Sequence, residues 1–328
     1  MLRQLKTAAV AMALAFTGAA QAQPSADQIL TEMGFSSAEK QRVLNGEFVT
    51  AEIGAVSERD LSFAVAFLVK TSPDALTKDA VDGALFGDDD EVRASGSSSA
   101  PGRLEDFSGL RITTEEARAL STAGRRYRTN LSAVEQEAFK TLSGGAVQAV
   151  EVQLRTMLLA RYQSYRAAGL GGIAPYDHGG GDVADVASDL KKASRSAAPL
   201  QKHLPVLYAF LVDGPGVTLP GFQERFLWVK SIIRDKPTYV LAHTFAASDG
   251  EARAVVRREF YVSTGYNAQQ TMAGFLPVAD GTVVLCTSHA FTDQVAGSAG
   301  WLMRGIGSRV LAGHMKRLFD RSRKRIER

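Results

Sequence analysis

A single cysteine, Cys286, in 328 residues excludes an intrachain disulfide, so packing alone must hold this fold together. Cys286 sits in the apolar run Thr282-Val283-Val284-Leu285-Cys286, where a thiol is expected to be buried as a small hydrophobe. The chain also lacks an excess of one charge: 38 basic residues stand against 35 acidic, which gives no electrostatic case for nucleic acid. The leading apolar run, Thr7 to Phe16, is about ten residues, half of the roughly 20 that a bilayer-spanning helix needs, and no later segment of that length is free of charge. Signatures of common chemistry are missing as well. There is no Gly-x-Ser-x-Gly elbow, no Ser-x-x-Lys followed by Lys-Thr-Gly, and no His-Glu-x-x-His. No catalytic residue, metal site or cofactor is therefore assigned from motif.

What is present begins with an address. Arg3 and Lys6 precede the apolar run, and Ala20-Gln21-Ala22 supplies a small-x-small cleavage site before Gln23. Residues 1–22 are read as a signal peptide cleaved after Ala22, which places the mature protein in the periplasm. Removing Arg3 and Lys6 leaves 36 basic residues against 35 acidic. The remaining charge is uneven, because Arg304 to Arg328 holds nine Lys or Arg and only Asp320 and Glu327 as acids.

Residues 23–87 are read as a small helical region. Ser36 with Glu39 forms a capping box, and Leu61, Ala64, Phe67 and Leu68 fall at helical spacing. Residues 88–108, acidic and then Ser-rich, have too little apolar surface to order themselves and are read as a loop or linker. Residues 109–200 are helical, with a second capping box at Ser132 and Glu135 and a helix through Leu154, Leu158, Leu159 and Tyr162 that should stop at Gly169. Gly169 to Gly181 follows as a Gly-rich loop. Gly179-Gly180-Gly181 lacks the Gly-Lys-Ser/Thr ending of a phosphate-binding loop.

Beyond Phe222 the period changes to two. Expected strands are Arg225–Ile233, Thr238–Phe245, Ala252–Ser263, Gln269–Val278 and Gly281–Asp293, joined by short turns into an antiparallel meander. An amphipathic helix from about Ser308 to Arg325 should pack across it through Leu311, Met315, Leu318 and Phe319, leaving Arg317, Arg321 and Lys324 exposed. The fold class is α+β, with 201–328 expected as the sheet domain. This pattern of curved sheet and long C-terminal helix resembles the helix-grip arrangement of START-like lipid-binding proteins. That resemblance implies an apolar cavity between sheet and helix, although such proteins place a first strand and two small helices ahead of the remaining strands. The runs Phe260 to Asn267, Leu276-Pro277-Val278 and Thr292 to Gly297 also resemble a family of exported bacterial proteins of unknown function.

The resemblance and the aromatic content together nominate a ligand pocket of Trp228, Tyr239, His243, Phe260, Tyr261, Phe275, His289, Phe291, Met315 and Phe319. His243 and His289 lie on separate expected strands and would converge if those strands pair and share a face. Glu224, Glu259 or Asp293 would then complete a two-His, one-carboxylate set. The expectation is a non-enzymatic periplasmic protein that binds or shields an apolar ligand such as a lipid. Its basic C-terminal helix is a candidate contact for an anionic membrane surface or a protein partner. The alternatives are an envelope interaction protein without a small ligand and, third, an enzyme.

Overall fold

The structure is a computed structural model that describes residues 24–83, 89–122, 129–214, 221–249, 252–296 and 300–327. The expected signal peptide lies outside them. The period-two stretch forms five strands: β6 (Gln223–Ile233), β7 (Lys236–Asp249), β8 (Ala252–Val262), β9 (Ala268–Val278) and β10 (Gly281–Phe291). Each pairs antiparallel with the next. The β6–β7 turn places Arg234 and Asp235 at φ of 49° and 61°, the left-handed conformation that matches the twist of a tight hairpin.

Three more strands come from segments expected to be helix or linker. β1 (Val49–Ala51) and β2 (Asp60–Val69) extend the sheet beyond β10, and β3 (Val92–Ser98) closes its other edge against β6. The eight-stranded order is β1-β2-β10-β9-β8-β7-β6-β3. Every residue of β2 is buried, which is why Leu61, Ala64, Phe67 and Leu68 misled. A strand covered on both faces reads as a continuous apolar run, and such a run contains the helical spacing as well as the extended one. β3 corrects the 88–108 linker reading: its Ser- and Gly-rich residues alternate between half-buried and exposed, as an edge strand does. The chain does not divide at residue 201 either, because one sheet takes strands from residue 49 to residue 291.

The helices cover both faces. On one face lie α3 (Pro73–Val81) and α10 (Gly300–Ile326), packed on Phe63, Val65, Phe67, Val255, Phe275 and Val284. The opposite face carries α1 (Ala26–Glu32) and α2 (Ser37–Leu44) over Ala66, Leu68, Leu276 and Leu285. Farther along it lies a helical block of α4 (Thr114–Ser121), α5 (Ala133–Lys140), α6 (Val147–Ala168), α7 (Val186–Arg195), α8 (Ala198–His203) and α9 (Pro205–Asp213). A two-stranded hairpin, β4 (Tyr176–Asp177) with β5 (Val183–Ala184), occupies part of the Gly-rich loop. Both expected capping boxes are present, at the starts of α2 and α5. The helix through Leu154 ends at Gly169, whose φ of 56° requires a residue without Cβ strain.

α10 begins eight residues before its expected start and seals the sheet with Leu311, Ala312, Met315, Phe319 and Ile326. Leu318 is only half-buried and lies outside that cluster. Arg317 and Arg321 are exposed, and the side chain of Lys324 lies outside the described residues. Cys286 is buried on this face, and burial pushes its thiol up to about 12. Among the described residues no helix is long and apolar enough to cross a membrane.

Candidate functional site

Alternation along the strands decides which side chains meet. Phe275, Met315 and Phe319 belong to the α10 face. Trp228, Tyr239, Phe260, Tyr261 and Phe291 belong to the opposite face, packed among the buried residues of α4 to α7. His243 stacks there on Phe226, and His289 reaches α7. The ten residues expected to line one pocket therefore lie on two sides of the sheet. Most are core: Trp228 is 2% exposed and its indole donates to Asp106 O at 2.8 Å.

His243 and His289 share a face without converging. Strand register places Phe226, His243, Arg258, Gln270, His289 and Ser62 in one row across six strands. Arg258 and Gln270 stand between the histidines, so a shared metal is excluded by geometry, and each ring takes its own carboxylate. His243 Nε2 lies 3.0 Å from Glu224 Oε2, and His289 Nδ1 lies 2.9 Å from Asp60 Oδ2. Of the other carboxylates expected to join them, Asp293 approaches His178 at 3.5 Å, while Glu259 faces the α10 side and pairs with Arg257 at 3.1 Å.

The middle of the row is a buried cation. Arg258 is 3% exposed, and its acceptors among the described residues are uncharged: Gln270 Oε1, Tyr165 Oη, Ser194 Oγ and Leu211 O, at 2.9–3.1 Å. Tyr165 Oη also lies 3.2 Å from His243 Nδ1. A relay thus runs from Arg258 through Tyr165 and His243 to Glu224, which is half-exposed and also pairs with Arg166 at 3.3 Å. Burial drives His243 down to about 4, against the pull of Glu224. The hydrogen bond from His243 holds Glu224 below its usual value, although burial opposes this.

A second row occupies the α10 face: Thr244, Arg257, Thr271 and Ser288. Beside it, Tyr266 donates to Glu259 at 2.6 Å, and Thr244 Oγ1 is buried with no hydrogen-bond partner among the described residues. Val240, Ala242 and Val262 form a buried apolar cluster next to these groups, joined among the described residues by Val229 and Tyr266.

Two open clefts are polar. One of about 430 Å³ is lined by Arg59, Asp182, Asp189, Lys192 and Asp293. Asp189 is 1% exposed, and burial raises its carboxyl despite Arg59 at 3.0 Å. The other, about 490 Å³, lies between α3 and the β7–β8 end of the sheet, beside Asp74, Lys78 and Arg253. Asp89, Glu91 and His314 bring ligand-type atoms within 4.8 Å of one another, and His314 pairs directly with Asp89 at 3.6 Å.

Asp60, Ser196, Tyr165 and Arg258 were missed from sequence because their partners lie on other elements. The alternation of Arg257, Arg258 and Glu259 on a strand was the one available signal, since one of two adjacent arginines had to point inward. No protein-family model matches the chain, and no curated protein or solved structure matches it.

Proposed function

We propose that this protein binds a lipid-like, amphipathic ligand on the α10 side of its sheet and meets anionic membrane surfaces through α10. The carrying observation is an apolar stripe left in solvent: Met303, Ile306 and Val310 are 50%, 51% and 60% exposed on a helix whose C-terminal half is packed down. Met303 and Val310 continue at helical spacing to His314 and Arg321, which pair with Asp89 and Asp90 ahead of β3. The stripe therefore belongs to the side of α10 that is turned across the sheet. The floor supplies both chemistries an amphipathic molecule needs. Val240, Ala242 and Val262 are apolar enough for an acyl chain, and Thr244, Arg257 and Glu259 beside them suit a polar head; all but Glu259 are buried, so an entering ligand would displace what covers them.

The START-like resemblance supports the same reading. β2 and α3 now stand ahead of the meander, where that arrangement has a first strand and small helices, and β2 pairs with the last strand, β10. The helical block on the opposite face would be an addition to it. An exported setting rests on Met1 to Ala22 alone.

One observation favours an interaction protein without a small ligand. Phe48, Phe67 and Phe319 fill the C-terminal half of the helix–sheet interface, with ring centroids 4.0–6.1 Å apart. The two readings separate by native mass spectrometry of protein purified from its own host, with solvent extraction of whatever is bound. A lipid-sized mass that is lost on extraction is expected. Bare polypeptide that also fails to bind a fluorescent fatty acid would overturn the proposal.

A further inference from the structure

We propose that Ser196, His289 and Asp60 form a nucleophile, base and positioning acid that give this protein an ester-hydrolysing activity. The site lies on the helical-block face, opposite the α10 side, and is independent of ligand binding there. Asp60 opens β2 and is fully buried; His289 lies diagonally from it on β10 and is 3% exposed. His289 Nδ1 donates to Asp60 Oδ2 at 2.9 Å, and that oxygen also accepts from Val56 N at 2.8 Å. A carboxylate held this way fixes the tautomer and turns the Nε2 lone pair away from it. Ser196 Oγ lies 3.4 Å from that Nε2. Ser196 caps the C-terminus of α7 and is exposed, so the buried base meets solvent at the serine.

Placement of the serine follows from the row across the sheet. Ser194, two residues earlier, accepts from Arg258 at 3.1 Å and pins the end of α7 to β8. In this state the Ser196 hydroxyl donates to Ala193 O at 2.8 Å, and a rotation about the Cβ–Oγ bond redirects its proton to Nε2. Nucleophile–base pairs are commonly this loose before substrate binds. Asp189 and Lys192 precede Ser196 by seven and four residues on the same face of α7, and both line the 430 Å³ cleft with Arg59. The substrate class is a carboxylic ester whose polar part enters that cleft.

The chemistry balances with water as the only co-reactant. Ser196 Oγ adds to the acyl carbon while its proton passes to His289 Nε2, and Asp60 holds the resulting imidazolium. Collapse breaks the acyl C–O bond, and the leaving oxygen takes the proton from Nε2 and departs as an alcohol. Water, deprotonated by Nε2, then attacks the acyl-serine, releasing the carboxylic acid and restoring the hydroxyl.

The test is a fluorophosphonate probe on the full exported protein, with the adduct located by peptide mass mapping. One adduct on Ser196 is expected. Ser196→Ala should abolish it without changing the melting temperature, and His289→Gln should slow it about 100-fold or more. The wild-type labelling rate should fall as pH is lowered, because a protonated base cannot accept the serine proton. This profile stands in for His289→Gln if that variant does not fold. No adduct on Ser196, a rate that His289→Gln leaves unchanged, or a flat pH profile would overturn the proposal. p-Nitrophenyl acetate turnover lost in Ser196→Ala would extend it from labelling to hydrolysis.

Discussion

Tyr165 Oη and His243 Nδ1 lie 3.2 Å apart in the buried layer between α6 and β7. Because Arg258 Nη1 donates to the same hydroxyl at 3.1 Å, the phenol proton is directed to Nδ1, and the ring proton sits on Nε2 facing Glu224. A second ring proton would displace the Tyr165 bond and add charge beside Arg258. His243 is therefore neutral in the folded protein, in line with its fall from 6.5 to about 4 through burial. Between those values the unfolded chain binds the extra proton, so stability is fully present above about pH 6.5 and falls as pH drops toward 4, by roughly 3 kcal/mol. His314, raised by its hydrogen bond to Asp89, acts in the other direction and above this window. Urea midpoints measured across the acid range should decline in wild type, and His243→Gln should flatten the decline between about pH 6.5 and 4.

Gly96 faces Trp228 directly across the β3–β6 ladder. A Cβ at that position would come 2.6 Å from the indole ring. Gly96→Ala must push Trp228 off Phe107 and away from its hydrogen bond to Asp106 O. Overpacking of this kind costs about 1–3 kcal/mol. The expected result is a lower melting temperature with a shifted tryptophan emission maximum. Unchanged emission would mean that β3 yields in place of the indole.

Phe319 stands over Phe67 with ring centroids 4.0 Å apart, and Leu318 beside it lies outside the cluster. Phe319→Ala should cost about 3–5 kcal/mol, because it leaves a cavity in a filled interface. Leu318→Ala should cost no more than about 1 kcal/mol. Chemical denaturation of the two variants separates the sealing face of α10 from its flank, and equal losses would contradict this packing.

The meander from β6 to β10 was legible because alternation is local: each strand carries its own face pattern, and short turns leave few topologies. β2 was not legible, since a strand buried on both faces loses that alternation, and Leu61 with Phe67 and Leu68 satisfies either period. The site was harder still. His243 and His289 were singled out and Glu224 was among the carboxylates considered; the structure pairs His243 with Glu224 and His289 with Asp60. Their separation, however, is set by β8 and β9 standing between them, a fact of strand order that no spacing in the sequence encodes. Ser196 meets His289 because α7 docks on the sheet, through Val186, Leu190 and Ala193 in the core and through Ser194, whose partner Arg258 lies 64 residues away in the chain.

Ile306 is 51% exposed, like Met303 and Val310 beside it, so Ile306→Glu should leave stability within about 0.5 kcal/mol of wild type. Its effect on the proposed lipid contact should be large, because a carboxylate on the stripe would have to leave water together with Met303 and Val310. Vesicle co-sedimentation and fluorescent fatty-acid titration should both weaken by about 10-fold or more. Arg317 is exposed on the same helix and serves as the electrostatic control. Arg317→Glu should reduce binding to anionic vesicles by an amount that added salt erases, and should leave neutral vesicles and fatty-acid binding unchanged, since a surface charge acts only through a screened field. If Ile306→Glu instead lowers stability by several kcal/mol, the stripe is core in solution and the lipid contact must be sought elsewhere. If stability holds and both binding assays are unchanged, α10 is not the contact, and the filled Phe48–Phe67–Phe319 interface leaves the ligand-free reading as the better account.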